Sequence, residues 1–136
     1  MSANKILIVD DEEIIVKLLS MSLRSDGYET VTAHSGEQGL EVFKSELPDI
    51  VVTDIKMPGM DGLELLKKIK EIDSEKEVII VTGHGDIDST ITALQYGASD
   101  FINKPVRDEA LAIALERAKA KIAIREKLEE YTENLE

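Results

Sequence analysis

The stretch "KILIVDDEEII", Lys5–Ile15, sets four apolar residues, Ile6 to Val9, directly against four acids, Asp10 to Glu13. A short β-branched run closed by charge reads as a buried strand, and the apolar residues that resume at Ile14 open a helical pattern. Four more such runs follow: the end of "ETVTA" at Val31–Ala33, then Ile50–Thr53, Val78–Thr82 and Phe101–Asn103. Helix-length stretches lie between them. The first places Ile14, Ile15, Leu18, Leu19 and Leu23 on one face and stops at Gly27. The second opens on "SGEQ", where Ser35 and Gln38 form a capping box, and closes before Pro48. The third spans about Gly62 to Ile72, and the fourth about Asp88 to Tyr96 with Gly97 ending it. Strands alternating with helices give right-handed βαβ units, hence an α/β fold with a parallel sheet covered on both faces. The first, third and fourth strands are apolar almost throughout and belong in its centre, the second and fifth at its edges.

With 136 residues, 43% of them hydrophobic, the chain supplies one packed core. Its net charge of −12 argues against nucleic acid or an anionic membrane as the partner of this segment. There is no cysteine and no charged-then-apolar leader, and the longest apolar run, Ala110 to Leu115, falls far short of the roughly 20 residues of a membrane span. A soluble, cytoplasmic protein is the expectation.

Ligands of parallel sheets bind beyond the carboxyl ends of the strands, where Asp10, Asp54, Thr82 and Lys104 all fall. Proteins of this class that cradle phosphate directly use Gly, Ser or Thr in the first strand-to-helix turn. Here the turn is "DDEE", which repels phosphate and disfavours the glycine-patterned nucleotide and flavin sites. Glu12 and Glu13 are explained by the positive end of the first helix. Asp10, Asp11 and Asp54 need more, because carboxylates about 5 Å apart at an effective dielectric near 20 repel by roughly 3 kcal/mol per pair. Lys104 is one answering cation; Mg²⁺, a hard ion that takes few protein oxygens and keeps waters, is the other.

"DD" after the first strand, "DIKMPGMDG" from Asp54 to Gly62, "VTGHGD" after the fourth and "DFINKP" from Asp100 to Pro105 resemble, in order and separation, the receiver domain of bacterial two-component response regulators. The resemblance covers about residues 4 to 122. It implies a flavodoxin-like five-stranded parallel sheet in the order 2-1-3-4-5 with helices on both faces. It further implies a switch in which Asp54 accepts a phosphoryl group from the phosphohistidine of a sensor histidine kinase. Asp11 would ligate Mg²⁺ directly, Asp10 mainly through water, and Asp54 and the backbone carbonyl of Lys56 would complete the ligands. Lys104 would neutralise charge, Thr82 would be the switch hydroxyl and Phe101 the switch aromatic. Gly83 would leave room for phosphate, and the Lys104–Pro105 bond would be cis. Lys56 and His84 would flank the path of the attacking water and tune phosphate lifetime, while His34 is read as a surface residue. Such a protein is a switch with slow self-phosphorylation and self-dephosphorylation rather than a metabolic enzyme. The alternatives are a Mg²⁺-dependent aspartyl-phosphate phosphohydrolase, disfavoured because Lys56 stands where a second acid belongs, and a phosphorylation-independent dimerisation domain.

From about Asp108 onward neither proline nor glycine interrupts the pattern, so a fifth helix continues to the end. Leu111, Leu115, Ala118 and Ile122 are spaced four, three, four, and so are Ile124, Leu128, Tyr131 and Leu135. The two sets are offset by 13 residues, which at about 100° per residue turns the second seam about 140° from the first. The first seam covers the sheet. The second predicts a helical linker at 123–136, beyond a receiver at 1–122, that pairs with its twin and leads to an output domain outside this sequence; the helix 4 to strand 5 to helix 5 face is the other candidate for homodimer contact.

Overall fold

The computed structural model describes residues 4–135. The outer limits of the two expected segments, residues 1–3 and 136, lie outside that range. In chain order the elements are β1 (Lys5–Val9), α1 (Glu13–Ser25), β2 (Glu29–Ala33), α2 (Gly36–Glu46), β3 (Ile50–Asp54), α3 (Gly62–Ile72), β4 (Glu77–Thr82), α4 (Ile87–Gln95), β5 (Asp100–Asn103) and α5 (Asp108–Leu135). All strand pairs are parallel and the order is β2-β1-β3-β4-β5, the flavodoxin-like arrangement.

Alternation along each central strand divides the core between two faces. Ile6, Ile8, Val52, Ile79 and Val81 pack with α1 and α5, while Leu7, Val9, Val51, Val78 and Ile80 pack with Phe43, Leu65, Leu66, Ile69 and Ala93 of α2, α3 and α4. Both faces of β1, β3 and β4 are therefore dry, as their continuous apolar runs require. The capping box of α2 forms with one change of partner. Ser35 Oγ accepts from the Gln38 N–H at 3.1 Å, but Gln38 Oε1 takes the His34 N–H at 2.7 Å.

The face of α1 differs from the expected one. Val16, Leu19, Ser20 and Leu23 are buried and Ile15 is half-buried, whereas Ile14, Leu18 and Met21 are 66, 58 and 60% exposed. This helix carries two apolar stripes, and the one that packs includes a polar member. Ser20 Oγ lies 2.7 Å from Thr30 Oγ1, which also accepts from Arg24 Nε at 2.8 Å, so the buried hydroxyl is satisfied.

In α5, Leu111, Leu115 and Ala118 are buried and Ile122 packs at the margin of the core, while Ile124, Leu128, Tyr131 and Leu135 are each more than 60% exposed. The helix runs unbroken through both seams. No described helix is long and apolar enough to cross a membrane.

Candidate functional site

The carboxyl edge of the sheet collects the expected residues from four strands. Asp10 leaves the end of β1, its N–H held by the Ala33 carbonyl at 3.2 Å, and Asp54 is the last residue of β3. Both are 3% exposed, whereas Asp11 faces solvent. One carboxylate oxygen from each of the three lies within 4.8 Å of the others. Asp10 Oδ1 accepts the Glu12 N–H at 2.9 Å at the start of α1. That bond and the nearby Lys104 only partly offset burial and the charges of Asp54 and Asp11, and the Asp10 carboxyl is pushed up to about 6.

Lys104 follows β5, with its N–H on the Thr82 carbonyl at 2.7 Å and a cis bond to Pro105. Its ammonium donates to Asp54 Oδ2 at 2.9 Å. Burial works against that charge, but Asp54, with Asp10 and Glu12 behind it, holds the Lys104 pKa above the ordinary lysine value. Three carboxylates against one lysine leave negative charge uncompensated. The donor set is all oxygen, two of its members are buried, and one side is open at Asp11. These features fit a small hard divalent cation such as Mg²⁺, which keeps water ligands.

The loop after Asp54 is shaped by close backbone contacts. The Gly62 N–H returns to the Ile55 carbonyl at 2.9 Å, and a Cβ at position 62 would sit 2.2 Å from the Asp54 carbonyl oxygen. Gly59 takes φ +72°, and Glu37 Oε2 accepts from the Met60 N–H at 3.2 Å. Asp61 then caps α3 through Glu64 N–H at 2.9 Å. "PGMDG" is thus the sequence of a turn pressed against the strand that bears Asp54.

Thr82, 2% exposed, ends β4 and donates its hydroxyl to Asn103 Oδ1 at 3.1 Å. Phe101 is 43% exposed on the edge strand, and His84 and His34 are exposed. Gly83 lies against Asp86. A Cβ there would meet Asp86 Oδ2 at 3.3 Å, and the Gly83 N–H donates to that same oxygen at 2.9 Å, so the glycine makes room for a carboxylate. Lys56 carries its side chain across the site to Asp86, with Nζ 2.8 Å from Oδ1. This is a close ion pair without hydrogen-bond alignment, since Oδ1 has no hydrogen-bond partner among the described residues. Lys56 and the Gly83 N–H hold the Asp86 carboxyl below the usual carboxylate range. Sequence reasoning missed Asp86 and Asn103. Each was visible inside a quoted motif, "VTGHGD" and "DFINKP", but their partners are fixed only by folding.

Comparison with known proteins converges on one family. The family model described as "Response regulator receiver domain" matches residues 6–116. Among curated proteins the chain is 42% identical over 113 residues to the transcriptional regulatory protein GlrR of Escherichia coli K12, covering 83% of this chain and 26% of that protein. It is 44% identical over 112 residues to the DNA-binding transcriptional regulator NtrC of the same organism, covering 82% and 24%. It thus spans about a quarter of the length of these curated relatives. A crystal structure of a response regulator receiver domain protein from Clostridium thermocellum superposes with a TM-score of 0.86 at 40% identity, covering 89% of this chain and 98% of that one. NtrX from Brucella abortus gives 0.89 at 35% identity, covering 95% and 29%. With the strand order, the acids at the strand ends and these likenesses in agreement, the chain belongs to the response regulator receiver domain family of two-component signalling.

Proposed function

We propose that this receiver domain is a phosphorylation-activated switch in which Asp54 takes a phosphoryl group from the phosphohistidine of a sensor kinase. The observation that carries the reading is Asp54 itself, buried at a strand end, with Lys104 on one oxygen at 2.9 Å and two further carboxylates close by. An Asp54 oxygen forms the new O–P bond as the P–N bond of the donor breaks and its electron pair returns to the imidazole nitrogen. Lys104 engages Oδ2, which orients the carboxylate and leaves Oδ1 outside that pair. Asp11 and Asp10 would hold Mg²⁺ with Asp54 and the Lys56 carbonyl; when bound, the ion neutralises the charge that otherwise repels an anionic phosphoryl group. In this reading the Thr82 hydroxyl, tied to Asn103, and the outward Phe101 are the groups that respond. Their rearrangement toward a phosphorylated Asp54 is the signal. No metabolic turnover is part of this role, and a cytoplasmic location belongs to the same reading.

The kinase must reach Asp54 over the carboxyl edge. A groove of about 540 Å³ between α1 and the segment after β5 opens there, with Ile15, Leu18, Leu19, Pro105 and Val106 on its apolar wall and Asp10 and Lys104 at its inner end. This is the surface we assign to the kinase. The exposed second seam of α5 is assigned to a second copy of the chain, since a four, three, four spacing is that of a coiled coil. The phosphohydrolase alternative is weaker, because the position two after Asp54 holds Lys56, engaged with Asp86, and not a second acid.

Incubation with Mg²⁺ and acetyl phosphate followed by intact mass tests the switch. One phosphoryl group is gained by the native protein and none by Asp54→Asn. Equal gain in both proteins, or steady hydrolysis of general phosphate esters, contradicts it.

A further inference from the structure

The foot of the sheet, at the opposite end from Asp54, holds a second charged cluster. Glu77 opens β4 and is 4% exposed, an unusual residue for a central strand. Its Oε1 accepts from Ser99 Oγ at 2.7 Å, and its Oε2 lies 2.8 Å from Arg125 Nη2. Ser99 Oγ in turn accepts the Val78 N–H at 3.1 Å, and the Ser99 carbonyl takes Lys121 Nζ at 3.4 Å. Arg125 Nε lies 3.3 Å from Glu75 Oε2, and Nη2 also donates to the Glu75 carbonyl. One guanidinium from α5 therefore ties together the turn before β4 and the buried acid of β4, whose Ser99 partner leads into β5.

Arg125 lies beyond the last core residue of its helix. It follows Ile122 by three residues, which places it about 60° from Ile122 around the helix and on the side that faces the sheet. The exposed seam beginning at Ile124 points elsewhere. Among the described residues the apolar packing of α5 ends at Ile122, and this polar cluster holds the next turn against the domain. A planar guanidinium that reaches two carboxylates and a carbonyl fixes a direction more strictly than a single ammonium would.

We propose that the Arg125–Glu77 pair is a latch that makes the emerging helix a rigid arm of the domain and fixes the direction in which residues 126–135 leave it. The strand that ends in Thr82 begins at Glu77, so a displacement of β4 reaches the arm through the latch without passing through a loop. The latch itself does not depend on phosphorylation.

The chain has no cysteine, so Lys44→Cys with Lys127→Cys, both at exposed positions, accepts spin labels at two defined sites. With labelled protein diluted in unlabelled protein, the latched form gives one narrow distance distribution. Arg125→Ala broadens it markedly and speeds amide exchange over residues 119–128 by about tenfold, while Arg125→Lys falls between. Glu77→Gln keeps an acceptor for Ser99 and removes the charge that Arg125 needs, so it also broadens the distribution without stripping the strand of its hydrogen bond. Unchanged width and exchange in Arg125→Ala and Glu77→Gln overturn the proposal. Loss of cooperative melting in both variants overturns it too, since the pair would then be a general fold contact. Phosphorylation of Arg125→Ala by acetyl phosphate stays within about twofold of wild type, because Arg125 sits at the far end of the sheet from Asp54. A parallel loss of phosphorylation would contradict a local latch.

Discussion

Asp10 is the residue where the conflict in the site is most measurable. Its carboxyl, pushed up to about 6 by burial first and by Asp54 and Asp11 next, binds its proton more tightly folded than unfolded, where the ordinary value of 3.8 applies. Metal-free stability is therefore lost as pH rises from about 4 to about 6, by about 3 kcal/mol in total, and the cost persists at neutral pH. Asp10→Asn keeps an acceptor for the Glu12 N–H and removes the charge. Melts in a chelating buffer should show the variant more stable near pH 7.5 and the gain shrinking toward pH 4, while Mg²⁺ stabilises the wild type more than the variant. A gain independent of pH, or a variant that melts lower throughout, would count against an overcrowded acidic site. Changing the Lys56 or His84 side chain is expected to shift phosphate lifetime without abolishing phosphorylation. Lys56→Ala frees Asp86 and removes a cation from the rim, so decay of the phosphorylated protein should change severalfold while phosphorylation persists. His84→Ala should do the same; unchanged lifetimes in both variants would refute this tuning role. The acids and Lys104 were legible in the sequence because the ends of parallel strands converge by topology. Asp86 and Asn103 were not, because nothing local to either residue names Lys56 or Thr82 as its partner.

Among the elements, α1 shows where periodicity stops being decisive. Ile14, Leu18 and Met21 form one apolar stripe and Val16, Leu19 and Leu23 another, and only the second packs on the sheet. Choosing between them needs the Ser20–Thr30–Arg24 hydrogen bonds, which join residues on two elements. The exposed stripe borders the groove assigned to the kinase. Leu18→Glu should therefore slow phosphotransfer from a kinase by about tenfold or more, the loss of a central apolar contact, while leaving acetyl phosphate reactivity unaltered. Equal effects with both donors would place Leu18 in the chemistry or the fold instead of the docking face. The strands were read more accurately than this helix, since a run buried on both faces leaves no side to choose. Their starts were read less well: β2 begins two residues before the expected Val31, and β4 and β5 one residue before Val78 and Phe101. Glu77 looks like a loop residue in sequence and becomes a buried strand residue because Ser99 and Arg125 satisfy it.

At the scale of the molecule, the sheet carries a charged cluster at each end of its strands. Asp10, Asp54, Thr82 and Lys104 occupy the first, and Glu77 with Arg125 the second, with β4 spanning both. The α5 helix crosses from one to the other and continues with an exposed seam. Two heptads make a weak coiled coil, so self-association should be concentration-dependent in sedimentation equilibrium. Leu128→Asp combined with Tyr131→Asp should leave a monomer with an unchanged receiver melt, whereas self-association that persists in this variant would point to another face.

Chemical mapping tests most directly whether Asp54 is the phosphoryl acceptor of a cation-dependent site. The protein is treated with phosphoramidate, a small donor whose P–N bond resembles that of phosphohistidine, with Mg²⁺ or with chelator, and then reduced with borohydride, which converts an acyl phosphate to an alcohol. Peptide mass analysis should find the reduced residue at Asp54 alone, and only when Mg²⁺ was present. Reduction at Asp10 or Asp11, or equal labelling of Asp54 in chelator, would contradict the account.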